Sequence, residues 1–196
     1  MEAMWLYSAG FKIANVLKVF IINSLSSALM PLKFQMMDQP GNRRFYSKIM
    51  TYTVFGFIII LLGLSLYSKE VLRILARNSD YWNAFYFVPI LCLAQLFELF
   101  RFNANIGLII EKCTKIISTI LISVSVVSIA LNLLLVHYFD AYGAAVATLI
   151  SQIIFFILIY RYAQKYYPIP YELMKLAKMT LVAVLIIILT YTWVNS

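Results

Sequence analysis

Charge is scarce in this sequence. Only 8 acidic and 16 basic side chains occur in 196 residues, and the charged share of 12% compares with about a quarter in soluble domains. So few charges cannot solvate a water-borne globular surface of this size, which excludes an ordinary aqueous domain. Histidine occurs once, as His137, with no HExxH and no clustered acidic ligands around it. A Walker A loop is missing, as is any nucleophile with a base at recognisable spacing, so the chain reads as a non-enzyme without metal or cofactor. The two cysteines, Cys92 in an apolar run and Cys113 in a short polar connection, form no CxxC pair and point to neither redox nor metal chemistry. Strand alternation is also absent, which disfavours a barrel.

What the chain has in excess is apolar length: 63% of its residues are hydrophobic and the mean hydropathy is +0.88. A bilayer span takes roughly 20 apolar residues, and the runs predict an all-α integral membrane protein of about six transmembrane helices. These are expected at 4–30, 49–67, 81–110, 116–136, 143–160 and 179–194, with the whole of 1–196 forming one membrane domain. Pro31, which cannot donate to a continuing helix, is expected to stop the first. Ser79 and Asp80 are candidate N-caps for the third and Pro89 its kink. The short segment His137 to Tyr142 predicts a tight antiparallel hairpin between the fourth and fifth. The alternation of charged and apolar residues in Lys69 to Arg77 predicts a short interfacial helix.

The net charge of +8 does not signal nucleic acid, because the basic residues stand between apolar runs rather than on one face. They follow topology instead. Lys33, Arg43, Arg44, Lys48, Lys112, Lys115, Arg161, Lys165, Lys175 and Lys178 fall in connections on one side, against Lys69, Arg73 and Arg77 on the other. The richer side is expected to be cytoplasmic. Both ends of the chain are then extracytoplasmic, and no charged leader with a cleavage site precedes the first span; together these suggest a fragment with residues missing upstream.

Polar groups within the spans mark surfaces that avoid lipid. At 100° per residue, Ser8, Lys12, Asn15, Asn23 and Ser26 share one stripe of the first span, and Lys12 and Lys18 each need a partner, a wet cavity or a route to the interface. In the third span Gln95, Glu98, Arg101, Phe102 and Asn105 lie on one side, with Glu98 and Arg101 spaced to pair. Two readings stand: a structural pair that neutralises itself, or a cavity where Arg101 and the lysines meet an anionic headgroup while Glu98 balances charge or exchanges a coupling cation. Ser118, Ser125 and Asn132 repeat at heptad spacing in the fourth span. Gly143, Ala147 and Ser151 recur at every fourth position in the fifth, a pattern for close helix packing.

Three segments resemble the bacterial oligosaccharide flippases of the multidrug/oligosaccharidyl-lipid/polysaccharide exporter superfamily. They are Leu6-Tyr7-Ser8-Ala9-Gly10-Phe11-Lys12-Ile13-Ala14; Ala28-Leu29-Met30-Pro31-Leu32 with Phe45-Tyr46-Ser47-Lys48; and Tyr142-Gly143-Ala144-Ala145-Val146-Ala147-Thr148-Leu149-Ile150-Ser151 with Lys165-Tyr166-Tyr167-Pro168-Ile169-Pro170-Tyr171. The resemblance implies a partial C-terminal bundle of a two-lobe exporter in the bacterial cytoplasmic membrane. It implies transport of polyprenyl-diphosphate-linked oligosaccharide for polysaccharide or lipopolysaccharide (O-antigen) biosynthesis, with a missing N-terminal lobe or a complementary chain as partner and the lipid bilayer as solvent. Candidate cavity residues are then Lys12, Asn15, Lys18, Asn23, Gln95, Arg101 and Asn105, with Glu98 as the ion-coupling or charge-balancing residue. Three alternatives are a drug or organic-cation exporter of the same superfamily, a polyprenyl-dependent glycosyltransferase or polymerase, and a gene fragment without activity. The excess of Lys and Arg within the spans disfavours the first, and the shortness of the extracytoplasmic loops the second.

Overall fold

The computed structural model describes residues 11–12, 15, 17–68, 70 and 87–195. Among these the regular structure is helical throughout. A π-helical segment, Leu17–Ile22, leads into α1 (Asn23–Gln35); α2 (Asn42–Leu66), α3 (Val88–Ala104), α4 (Ile106–Ile110), α5 (Thr114–Tyr166) and α6 (Leu173–Asn195) follow. Three helical stretches are long and apolar enough to cross a membrane: Asn42–Leu66, Val88–Ile110 and Thr114–Tyr166.

The helices outrun the apolar stretches because polar turns extend them. α2 begins at Asn42 instead of 49, through a first turn carrying Arg43 and Arg44, and α6 begins at Leu173 instead of 179. Pro31 does not stop α1, which continues to Gln35. An interior proline costs a helix about 3 kcal/mol, and here the turn beyond it is held from outside. The Lys33 carbonyl accepts the Tyr46 hydroxyl at 2.8 Å, and the Lys33 ammonium donates to Asn103. The chain then reverses at Gly41, whose φ of 86° suits a residue without Cβ.

Pro89 is not a kink within the described helix. It sits in the first turn of α3, where its missing N–H removes no intrahelical bond. The interruption comes at Asn105, between α3 and α4. Ser8 of the first stripe, positions 69 and 71–77 of the expected interfacial helix, Ser79, Asp80 and the 81–86 start of the third expected span lie outside the described residues.

The expected hairpin narrows to one residue. Helical hydrogen bonding runs on both sides of Asp140, which alone takes φ 46° and ψ −127° inside α5. Gly143 is brought so close to the Leu135 carbonyl that a Cβ there would collide with backbone. Small residues continue this packing face, with Gly143, Ala145, Ala147 and Ser151 all buried.

α3 is the centre of the bundle: Val88, Leu91, Cys92, Leu96, Leu99 and Phe100 are all buried along it. The second arm of α5 runs alongside α3, from Phe87 against Tyr142, through Phe97 and Phe100 against Phe156, to Gly107 against Ala163 and Tyr167. α2 packs on α3 and α6 on α2. At one end Tyr46, Ile106, Tyr167 and Ile169 form a separate small cluster.

The first arm of α5 packs inward through Ile120 and Val124 and leaves Leu121, Ile122, Val126, Ile129, Leu133 and Leu134 exposed. In water each such side chain would forgo roughly 1.5–3 kcal/mol of burial. Lipid is the solvent that suits this face, and the chain is a membrane-embedded helical protein. Ser125 and Asn132, on this arm, spend their side chains on the carbonyls one turn back, Leu121 and Ser128.

Candidate functional site

The most charged point inside the bundle is Glu98, in the middle of α3. Its Oε1 takes two cations at once, the Lys18 ammonium at 3.1 Å and the Arg101 Nη2 at 3.3 Å. Arg101 reaches it from one turn along the same helix, and Lys18 comes from the π-helical segment that packs against α3. The Arg101 guanidinium also lies over the Phe155 ring of α5, 4.4 Å from its centroid. Two cations on one carboxylate leave the cluster with one net positive charge. Removing that carboxylate would strand the Arg101 guanidinium, the more buried of the two cations, and an uncompensated buried charge costs several kcal/mol.

Unspent hydrogen-bonding groups surround this cluster. Gln95 Oε1, Arg101 Nε, Asn105 Oδ1 and Gln152 Oε1 are buried and make no hydrogen bond among the described residues. Gln95, Glu98, Arg101 and Asn105 follow one side of the α3–α4 helix, and Gln152 stands one turn before Phe155. Buried polar atoms are normally satisfied, so three acceptor oxygens call for water or hydroxyl donors, while the free Arg101 N–H and the net positive charge beside them suit an anion.

The structure thus gathers Lys18, Glu98 and Arg101 at bonding distance, with Gln95 and Asn105 along the same seam. It does not carry the N-terminal stripe into this cluster. Lys12 and Asn23 are exposed and Asn15 is half-buried, and none of the three takes part in the Glu98 ion pairs. For Asn23 the reason is local. The stripe assumes an unbroken 100° step, but Leu17–Ile22 is π-helical, and the wider i→i+5 turn re-phases every side chain beyond it. Ser26 accordingly bonds its own helix, at the Ile22 carbonyl.

A second polar node has no counterpart in the sequence reading. Lys33, 1% exposed, donates to Asn103 Oδ1 at 3.1 Å and lies 4.4 Å from the Phe102 ring centroid. Asn103 Nδ2 donates in turn to Thr53 Oγ1 and the Leu99 carbonyl, and Tyr171 Oη donates to the Asn103 carbonyl. Burial without a carboxylate partner pushes the Lys33 ammonium down to about 8. Burial likewise pushes the Tyr171 phenol up, and the neighbouring Tyr160 and Tyr46 add to it. Lys33 looked like one more cation in a loop. A signal did exist, since Phe102-Asn103 adjoins Arg101 on a span, but nothing in one sequence joins position 33 to position 103.

No protein-family model matches the chain, and neither a curated protein nor a solved structure matches it.

Proposed function

We propose that this chain is part of a flippase that moves polyprenyl-diphosphate-linked oligosaccharide across the bacterial cytoplasmic membrane, contributing a six-span partial C-terminal bundle. The observation that carries this reading is the net-positive Lys18–Glu98–Arg101 cluster with its seam of unsatisfied polar atoms, set inside an apolar bundle. A diphosphate is a fitting ligand for a guanidinium and an ammonium, and the free amide oxygens beside them suit sugar hydroxyls. Glu98 holds the two cations in place when cargo is absent, and loses them to the diphosphate when it arrives. An organic cation would meet the wrong sign of charge here, which supports the oligosaccharide-lipid reading over a drug exporter. An apolar groove of about 470 Å³ between α3 and α6, lined by Phe97, Phe100, Phe156 and Leu176, offers a prenyl chain a path at the depth of Glu98.

Proteoliposomes carrying the chain with its complementary lobe and a labelled polyprenyl-diphosphate sugar test the reading. Arg101→Ala should lower leaflet exchange at least about tenfold. Lys175→Ala, which removes an exposed ion pair with Glu172, should leave exchange unchanged. Equal exchange in the two variants at equal protein density would sink the assignment of Arg101 to cargo.

A further inference from the structure

A second cationic surface lies at the other end of the polar inventory and shares no residue with the Glu98 cluster. The first turn of α2, the last turns of α5 and the α5–α6 connection enclose an open groove of about 900 Å³, lined among others by Arg43, Arg44, Arg161, Tyr160, Gln164 and Tyr171. Three arginines line the groove, and among the described residues no carboxylate does. None of the three takes part in an ion pair among the described residues. Glu172, close by in the chain, is taken up by Lys175 at 2.9 Å.

This arrangement is electrostatically costly as it stands. α2 has no acidic residue in its first turn, so Arg43 and Arg44 stand at the positive end of the helix dipole, where cations are disfavoured. Arg161 adds like charge from the facing helix. An anion in the groove relieves all three repulsions together.

The walls are built before any ligand arrives. Arg43 is laid over the Tyr167 ring, 4.9 Å from its centroid. Gln164 grips Ile169 twice, its Nε2 donating to the carbonyl at 2.7 Å and its Oε1 accepting the N–H at 3.0 Å. Ser47 Oγ donates to the Pro170 carbonyl at 2.7 Å, which ties the connection to α2. Pro168 and Pro170 stiffen that same stretch. A rigid groove with planar, forked donors matches the oxygens of a phosphate better than a diffuse cloud of lysines would.

The groove also sits where apolar helix gives way to polar turns, at the start of α2 and the end of α5, which is the level of lipid headgroups. We propose that Arg43, Arg44 and Arg161 form a binding site for the phosphate of an anionic phospholipid headgroup in the adjacent leaflet. This site is independent of the cargo assigned to the Glu98 cluster and needs only a bilayer containing such lipids.

The test uses the full chain purified in neutral detergent, with phosphatidylglycerol, phosphatidylcholine or inorganic diphosphate added, and retained ligand read by native mass spectrometry. Phosphatidylglycerol should be retained at one per chain where phosphatidylcholine is not. Arg44→Gln combined with Arg161→Gln should weaken retention at least about tenfold, and Lys175→Gln should not change it. Undiminished retention by the double variant, or equal retention of both lipids by the unmodified chain, overturns the proposal. Diphosphate that displaces phosphatidylglycerol at equal concentration overturns the lipid as the source. Should the double variant lose its helical circular dichroism, Arg44→Gln alone is read in its place: retention weakened at least about threefold is expected, and undiminished retention overturns the proposal.

Discussion

Lys33 and Asn103 stand 70 positions apart in sequence and meet at 3.1 Å, an ammonium satisfied by a neutral amide where a carboxylate would be the usual partner. The folded chain therefore holds this proton less tightly than the unfolded chain does. Between about 8 and the ordinary 10.5 the unfolded state binds more protons, so stability should rise with pH across that window, by up to about 3 kcal/mol. Below 8 the penalty is fully present. Thermal melts of the detergent-solubilised chain at pH 7.5 and pH 10 should show the gain, and Lys33→Met should flatten it; the same gain in the variant would remove Lys33 as its source. Asn103→Leu, by contrast, strands the ammonium, and adding Lys33→Met to it should recover most of the loss.

The Glu98 cluster predicts an asymmetry among its members. Glu98→Gln leaves the Arg101 guanidinium without its anion inside the bundle and should destabilise the chain by about 3 kcal/mol. Lys18→Met should cost less than about 1 kcal/mol, because the Lys18 side chain is 41% exposed and Glu98 keeps Arg101. Denaturation of the three proteins side by side checks the order, and a larger loss from Lys18→Met than from Glu98→Gln would contradict the assignment of Glu98 as the shared anion.

Two glycine substitutions should move stability in opposite directions. Gly143→Ala places a methyl against the Leu135 carbonyl and should cost at least about 2 kcal/mol, because backbone cannot step aside cheaply. Gly63→Ala enters open space in α2 and should gain about 0.5–1 kcal/mol from helix propensity alone. Melting temperatures measured under one detergent condition decide both.

Much of the helical layout is written in hydropathy, because a run such as Ile116 to Val136 has few alternatives to a buried or lipid-facing helix. Its ends are not, since Arg43 and Arg44 join α2 through backbone bonding that hydropathy does not weigh. Pro31 misleads for a related reason: its penalty is local and its compensation, through Tyr46 and Asn103, is tertiary. In the candidate site, Glu98 and Arg101 were legible as an i, i+3 pair, and Lys18 as a charge in need of a partner. That Lys18 reaches Glu98 while Asn23 points away depends on the π-helical segment. No periodicity count contains that segment, because the count assumes a constant step.

The reversal at Asp140 bears on how the chain is made. Two apolar arms separated by a single non-helical residue leave the biosynthetic machinery no hydrophilic stretch at which to release the first arm before the second emerges. Should both arms enter the bilayer, they enter as one unit, and the heading of the leading arm fixes the opposite heading for its follower.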